Sequence, residues 1–342
     1  MSNAVNRRVV LAARPDGEPK ASDFRVEEAA VPNPGAGEFL ARTIHLSLDP
    51  YMRGRMNDGA SYANPVPIDG VMEGGTVAKV ETSNHPDYAA GDYVVGRAGW
   101  QEFAVSNGEG MRKVDPAIAP LSASLGVLGM PGMTAYTGLL NLGEPKAGET
   151  VCVAAASGAV GGIVGQIGKI KGCRAVGIAG GAEKCAFVVD ELGFDACVDH
   201  RAPDFRDQLA AAAPDGIDVY FENVGGPVLE AVMGLLNMRG RIAVCGMIAH
   251  YNQKPPYPGD NMLPVMMMRI LVNRLTLRGF IVSDFGDQIG DFLRDVSGWI
   301  ADGKIKYRED FIDGLENAPE GLIGLLKGKN FGKLVVNVSD DS

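Results

Sequence analysis

Val151-Cys-Val-Ala-Ala-Ala-Ser-Gly-Ala-Val-Gly161 decides the fold. A short apolar run rich in valine empties into small residues, and Gly158 and Gly161 stand three apart. A helix-compatible segment, 162–171, follows with Gly165 and Gly168 on its small face, and a second apolar run occupies 174–178. This reads as strand, tight turn, helix start and second strand. At such a turn the backbone N–H groups and the positive end of the helix dipole face outward, which suits a pyrophosphate. A glycine turn alone is equally a turn without a ligand. The flanking strands and helix carry the reading.

The end of the second strand selects the nucleotide. An NAD site usually places Asp or Glu there to hold the ribose hydroxyls. This chain reads Val176-Gly-Ile-Ala-Gly-Gly-Ala-Glu-Lys184, with no acid at the strand end. A carboxylate would repel a 2′-phosphate, and here that repulsion is missing. Gly180 lets the backbone approach closely and Lys184 can meet the phosphate as a point charge, so the expected cofactor is NADP(H). Taken alone, Lys184 would be a solvated helix lysine.

Bulk properties narrow the class. The 342 residues are 46% hydrophobic and 22% charged, with a net charge of −10. That length suggests two domains, and that charge argues against a nucleic acid or an anionic membrane as partner. No stretch has the layout of a signal peptide or a membrane span. The five cysteines, Cys152, Cys173, Cys185, Cys197 and Cys245, are dispersed and form no Cys-x-x-Cys pair. Reduced thiols and a cytoplasmic address are expected.

The first ~120 residues are β-rich and turn-dense, with short apolar runs at 39–46, 75–81, 93–96 and 103–105, the texture of a small barrel or roll. Beyond residue 121, helical small-residue patterns alternate with apolar strands at 150–155, 174–178, 196–198, 219–222, 241–245 and 275–281. That alternation predicts a doubly wound parallel sheet, an α/β fold. The tail reads as a helix over 315–326 and a strand over 333–338. The proline-rich loop 254–264 is long enough for a functional lid, and the Met262–Met268 cluster reads as core or pocket wall.

Local strings extend the picture: Leu48-Asp-Pro-Tyr-Met-Arg53, Gly129-Met-Pro-Gly-Met-Thr-Ala-Tyr136, Glu222-Asn-Val-Gly-Gly226, Cys245-Gly-Met-Ile-Ala-His-Tyr-Asn252 and Lys329-Asn-Phe-Gly-Lys333. With the glycine turn, they resemble the medium-chain dehydrogenase/reductase superfamily. Within it they resemble the zinc-free branch of prostaglandin reductases, plant 2-alkenal double-bond reductases and bacterial curcumin reductases. The resemblance covers nearly the whole chain. It implies a GroES-like catalytic domain over 1–124, completed by 310–342, and a Rossmann NADP-binding domain over 125–309.

Zinc-dependent relatives need a Cys in the early loop, a His-Glu pair some twenty residues later, and a further Cys or Asp. Here the early loop is Leu48-Asp49-Pro50-Tyr51 and the later motif Val71-Met72-Glu73-Gly74. Methionine is a poor zinc ligand, and about three protein ligands are required. No metal is expected, which leaves conjugate reduction of an α,β-unsaturated carbonyl as the plausible chemistry. Hydride enters at the β-carbon and charge develops on the carbonyl oxygen, so a hydrogen-bond donor is needed there. A tyrosine phenol, protonated at pH 7, suits the role.

By resemblance, Tyr251 is the tyrosine beside the nicotinamide ribose and the substrate oxygen, and Tyr51 is a pocket tyrosine from the N-terminal domain. Tyr257 and Ser283 are further pocket candidates. The resemblance also assigns cofactor contacts to Met130, Thr134, Gly158, Ala159, Val160, Gly161, Gly180, Lys184, Asn223, Cys245, Gly246, Phe280, Ile281, Val282 and Asn330. His200 stands where many relatives carry a tyrosine that touches the 2′-phosphate, with Arg201 beside it. The same residues allow simpler readings: a packed aromatic at Tyr51 or Tyr251, a turn asparagine at Asn223, a plain core strand over 280–282.

The expected activity is NADPH-dependent reduction of the carbon–carbon double bond of enones and alkenals. A quinone reductase of the same fold and a non-catalytic NADPH-binding protein are the alternatives. The strand 275–281 falls where relatives extend their sheets across a two-fold axis, so a homodimer is expected.

Overall fold

The computed structural model describes residues 5–59, 61–254, 259 and 261–340. The chain divides into two compact units, one of residues 1–126 with 309–342, the other of residues 127–308.

The first unit is built on a seven-stranded sheet. Along its path run Glu309–Asp313, Lys333–Asn337, Phe39–Ser47, Thr76–Ser83, Tyr93–Gly96 and Arg112–Val114, and Phe103–Ser106 pairs with Phe39–Ser47. A separate hairpin joins Val5–Leu11 to Phe24–Ala30 in antiparallel register. The tail helix Ala318–Leu326 packs Leu322 and Leu325 into a core shared with Val9, Leu46, Met52, Met72 and Trp100.

The second unit holds six parallel strands: β1 (Thr150–Ala154), β2 (Arg174–Ala179), β3 (Ala196–Asp199), β4 (Ile217–Glu222), β5 (Leu236–Val244) and β6 (Thr276–Gly279). Their order is β3-β2-β1-β4-β5-β6, the doubly wound nucleotide-binding arrangement. All six expected strands are present. Every residue of β1 is buried, as expected of a parallel strand covered on both faces. Around the sheet lie α1 (Met130–Thr137), α2 (Gly161–Ile170), α3 (Ala182–Asp190), α4 (Phe205–Ala212), α5 (Gly226–Met233), α6 (Leu263–Asn273) and α7 (Ile289–Ala301).

Two expectations change. The sixth strand ends at Gly279, and a 3-10 turn, Val282–Gln288, takes over. Asp284 accepts the Ile281 N–H at 3.2 Å and caps that turn. Phe280–Val282 is therefore an exit from the strand rather than part of it. The methionine cluster is not core: α6 has no buried residue, and Leu263, Met267, Met268 and Leu271 are exposed. Only Met266 and Ile270 of this helix pack against the unit's core. Apolar content made a core reading reasonable, but the outer face of α6 lacks a covering element among the described residues.

Candidate functional site

In a parallel sheet all carboxyl ends share one edge, and ligands of doubly wound folds gather there. The glycine turn follows β1, Gly180 follows β2, His200 follows β3, Asn223 follows β4, Cys245–Tyr251 follow β5, and Phe280–Val282 follow β6. Six separate sequence strings thus converge on one edge because strand order and direction bring them there.

At the first turn the backbone is forced. Ala155 sits at φ 55°, a left-handed conformation costly for a residue with a Cβ. Its carbonyl turns to accept the Gly158 N–H at 2.9 Å. A Cβ on Gly161 would lie 2.3 Å from that same oxygen. Only glycine lets α2 start this close to β1. In its first turn the Gly162 N–H donates to the Gly158 carbonyl at 3.0 Å, and the Ile163 and Val164 N–H groups to the Val160 carbonyl at 3.1 and 3.0 Å, so the positive end of the helix dipole faces the turn. Val160 is the cap residue, and Gly158, Ala159 and Val160 are half-buried. The turn fits a pyrophosphate.

The ends of β2 and β3 gather positive charge. The His200 Nε2 and an Arg201 Nη lie 3.0 and 3.1 Å from where a Cβ on Gly180 would stand. Partial burial, with the nearby Arg201 and Lys184 charges, holds the His200 imidazole below its ordinary value, while Asp199 opposes this. Asp199 stands at the end of β3, and its Oδ1 accepts the N–H groups of Gly181 and Arg201, both at 2.9 Å. Those bonds favour its carboxylate and hold it below the usual range. The same carboxylate thereby braces both loops that carry the cations. Lys184, His200 and Arg201 fit a 2′-phosphate. Sequence reading passed over Asp199, although an acid at a strand end followed by two basic residues was a signal.

At the end of β4, the Asn223 amide donates to the Ala154 carbonyl at 2.9 Å and ties β4 to β1. Beneath it the buried Glu222 accepts the Val224 and Gly225 N–H groups through Oε1, at 2.5 and 2.9 Å. Its Oε2 is buried, with the buried Tyr220 hydroxyl as its neighbour. Burial raises Glu222 above the ordinary glutamate value against the pull of those bonds. Glu222 was also missed as a positioning group, since its string was read for asparagine and glycines. Burial, then Glu222, pushes the Cys245 thiol up to about 12, so it stays a thiol.

After β5 the backbone N–H groups of Cys245 and Gly246 donate to the Glu222 carbonyl. A 3-10 turn, Ile248–His250, then returns the chain, with Tyr251 as its cap. The half-buried Tyr251 ring folds back so that its hydroxyl accepts the Met247 N–H at 3.3 Å. A Cβ on Gly246 would stand 2.9 Å from that hydroxyl, so the glycine makes room for it. The bond uses a lone pair of the phenol oxygen and not its proton.

Other expected contacts fall as follows. Thr134 donates its hydroxyl to the Met130 carbonyl at 2.7 Å, inside α1. Phe280 packs edge-on against Phe221 and Phe285. Ser283 is exposed on the 3-10 turn. Tyr257 lies outside the described residues, as do Pro255, Pro256, Pro258 and Asp260 of the suspected lid.

The first unit carries Tyr51 and Asn330. Tyr51 caps the short helix Met52–Arg55 and packs against the apolar core. Burial, then the Asp49 charge, pushes its phenol above the ordinary value, so it is neutral. Its loop is held by a buried ion pair: Lys333 Nζ donates to Asp49 Oδ1 and to the Leu48 carbonyl, each at 2.8 Å. Ser47 also donates its hydroxyl to Asp49. The Arg55 guanidinium lies 5.7 Å from the Tyr51 ring centre and 4.2 Å from that of Tyr62. Asn330 donates to the Gly332 carbonyl at 2.7 Å, in a turn braced by Asp310, which accepts the Phe331 and Gly332 N–H groups.

The residues do not fit a zinc ion. Met72 is fully buried in the apolar core, Glu73 pairs with Arg55 at 3.3 Å, and Asp49 is engaged by Lys333. Among the described residues no group of three or more His, Cys, Asp or Glu is arranged to hold a metal.

Comparison with known proteins agrees with this geometry. Residues 7–114 match the family described as the N-terminal domain of oxidoreductase, and residues 159–297 match the zinc-binding dehydrogenase family. The chain is 56% identical over 337 residues to the NADPH-dependent curcumin reductase of Escherichia coli (strain K12), covering 98% of both chains. It is 40% identical over 341 residues to the NADP(+)-dependent 2-alkenal reductase of Nicotiana tabacum, covering 98% of both. The crystal structure of CurA from Vibrio vulnificus in complex with NADPH superposes with a TM-score of 0.94 at 53% identity, over 98% of this chain and 99% of that one. The chain belongs to the medium-chain dehydrogenase/reductase superfamily, in the branch that holds the curcumin and 2-alkenal reductases.

Proposed function

We propose that the chain is an NADPH-dependent reductase of the carbon–carbon double bond of α,β-unsaturated aldehydes and ketones. The observation that carries this reading is the single sheet edge on which the glycine turn, the cation cluster and the Tyr251 phenol stand together. The glycine turn after β1 would hold the pyrophosphate, and Lys184, His200 and Arg201 the 2′-phosphate. NADPH supplies the hydride that the substrate's β-carbon accepts. Tyr251 donates its hydroxyl proton in a hydrogen bond to the carbonyl oxygen as negative charge develops there. Tyr51, kept neutral by burial and by Asp49, is the further donor that the family resemblance suggests. Protonation of the enolate at its α-carbon completes the reduction.

NADPH deuterated at the transferred position, with an enone as substrate, tests the reading. Deuterium should appear at the β-carbon of a saturated ketone. An allylic alcohol with deuterium on its carbinol carbon would refute it. Turnover of a benzoquinone with no enone turnover would favour the quinone reductase, and no turnover of either a binding protein.

The chain is also proposed to be a cytoplasmic homodimer. All five cysteines are free, which suits a reducing compartment. No helix among the described residues is long and apolar enough to cross a membrane. Strand β6 is the outer strand of its sheet, and α6 presents Leu263, Val265, Met268 and Leu271 outward. An open strand edge and an apolar helix face are both hazards that a second copy removes. Sedimentation at micromolar concentration should find a dimer and Leu271→Glu should shift it towards monomer. A stable wild-type monomer would contradict the assembly.

A further inference from the structure

We propose that Glu222 is the positioning residue for Tyr251. Its carboxylate closes the turn after β4, and that turn carries the Tyr251 turn after β5 on its carbonyls. The catalytic consequence rests on the donor role given to Tyr251 under Proposed function, whereas the joining of the two turns does not. Glu222 is 1% exposed. Its Oε1 accepts the Val224 N–H at 2.5 Å and the Gly225 N–H at 2.9 Å, so one oxygen gathers residues 222–225 around itself. Gly225 takes φ 79°, a left-handed conformation open to glycine, and α5 starts at the next residue.

The carbonyls of the same turn hold the chain that follows β5. That of Glu222 accepts the Cys245 N–H at 2.9 Å and the Gly246 N–H at 3.1 Å. That of Asn223 accepts the Ile248 N–H at 3.2 Å, and that of Val224 the Ala249 N–H at 3.0 Å. Successive carbonyls of one turn thus grip the other from Cys245 to Ala249. Tyr251 is the next link, since its own N–H donates to the Ile248 carbonyl at 3.3 Å. The His250 ring also lies against the bare Gly225, its Nε2 3.2 Å from where a Cβ would stand.

Packing does not explain how the Tyr251 turn keeps its place. None of Ile248, Ala249 and His250 is buried, so the backbone hydrogen bonds to residues 222–224 set its position. Those carbonyls stay aimed only while Val224 and Gly225 are closed on the Glu222 carboxylate. An apolar side chain at 222 would strip the acceptor from two N–H groups. The Gly225 bond is buried, so the turn would open to reach water. A catalytic group misplaced by about 1 Å costs roughly a hundredfold in rate. Glu222 thus acts on the reaction through Tyr251.

The test compares Glu222→Met, Glu222→Asp and Glu222→Gln, each alone and combined with Tyr251→Phe. Two quantities are read: the single-turnover rate with an enone at saturating NADPH, and amide hydrogen exchange over residues 246–251 by mass spectrometry. Glu222→Met removes the acceptor. Glu222→Asp withdraws it by one methylene while keeping the charge, and serves where Glu222→Met does not fold. Both should slow hydride transfer at least about fivefold and speed the exchange, while Glu222→Gln, which keeps an acceptor, should restore both. In the Tyr251→Phe background the Glu222 substitutions should cost nothing further, because they act through the missing hydroxyl. An undiminished loss in that background, a Glu222→Gln variant as slow as Glu222→Asp, or unchanged exchange would overturn the proposal. If Tyr251→Phe alone matches the wild-type rate, the donor assignment fails, and hydrogen exchange alone decides whether Glu222 holds the Tyr251 turn.

Discussion

Tyr251 folds back on its own loop so that its hydroxyl accepts the Met247 N–H at 3.3 Å, above a glycine that leaves room for it. This fixes the oxygen by a bond that does not consume its proton. On the proposed reading, a phenol oriented in this way at the carboxyl edge of a nucleotide-binding sheet is the donor for a developing enolate oxygen.

The 2′-phosphate assignment makes Lys184 a discriminator between cofactors. Lys184→Ala should weaken NADPH by about 1.5–3 kcal/mol, the range for a hydrogen bond to a charged group. NADH should be nearly unaffected, since it carries no phosphate there. Michaelis constants for the two cofactors check this, and equal effects on both would remove Lys184 from the site.

The buried Lys333–Asp49 pair should be structural support for the Tyr51 loop. Lys333 is 4% exposed and joins the strand Lys333–Asn337 to residues 48 and 49. Lys333→Met leaves the Asp49 carboxylate buried without its cation, a loss of roughly 3–5 kcal/mol. Lys333→Met with Asp49→Asn removes both charges and should recover part of it. Denaturant unfolding measures both, and a single variant as stable as wild type would contradict the pair's role.

Much of this site was legible in the sequence, for physical reasons that differ by residue. Gly158 and Gly161 were readable because a strand-turn-helix start needs small residues at fixed spacing, and the structure shows Gly161 pressed against the Ala155 carbonyl. Strands β1, β2 and β4 were readable because buried parallel strands are nearly continuous apolar runs. Asp199 was not, since its bond to the Gly181 N–H is one that only the tertiary fold brings within reach. The partners of Glu222, Val224 and Gly225, are local, and its string was read for asparagine and glycines instead. The end of β6 was overrun because Phe280 and Ile281 are themselves strongly apolar, while Asp284 caps the turn that follows. The hairpin Val5–Leu11 with Phe24–Ala30 was missed because charged residues interrupt its alternation.

Glu222 gives a pH signature. Burial places its folded-state value above the unfolded one. Above the ordinary glutamate value the native state therefore keeps a proton that the unfolded chain has released. Stability falls as pH rises through the folded value, and the penalty is absent at acid pH. Glu222→Gln keeps an acceptor for Val224 and Gly225 and cannot ionise. Its stability relative to wild type should rise as pH climbs above the ordinary glutamate value. Parallel denaturant titrations check this, and a flat difference would mean that Glu222 ionises without cost.

The most direct test of tyrosine-assisted conjugate reduction is single-turnover reduction of an enone by Tyr251→Phe at saturating NADPH. The ring's packing is kept and only the hydroxyl is lost. Removing a main oxyanion donor costs roughly 2.7–4 kcal/mol in the chemical step, and less where Tyr51 shares the role. The expected result is a hydride-transfer rate reduced at least tenfold, about 1.4 kcal/mol, with NADPH affinity unchanged. A wild-type rate for that step would contradict the assignment of Tyr251 as the donor.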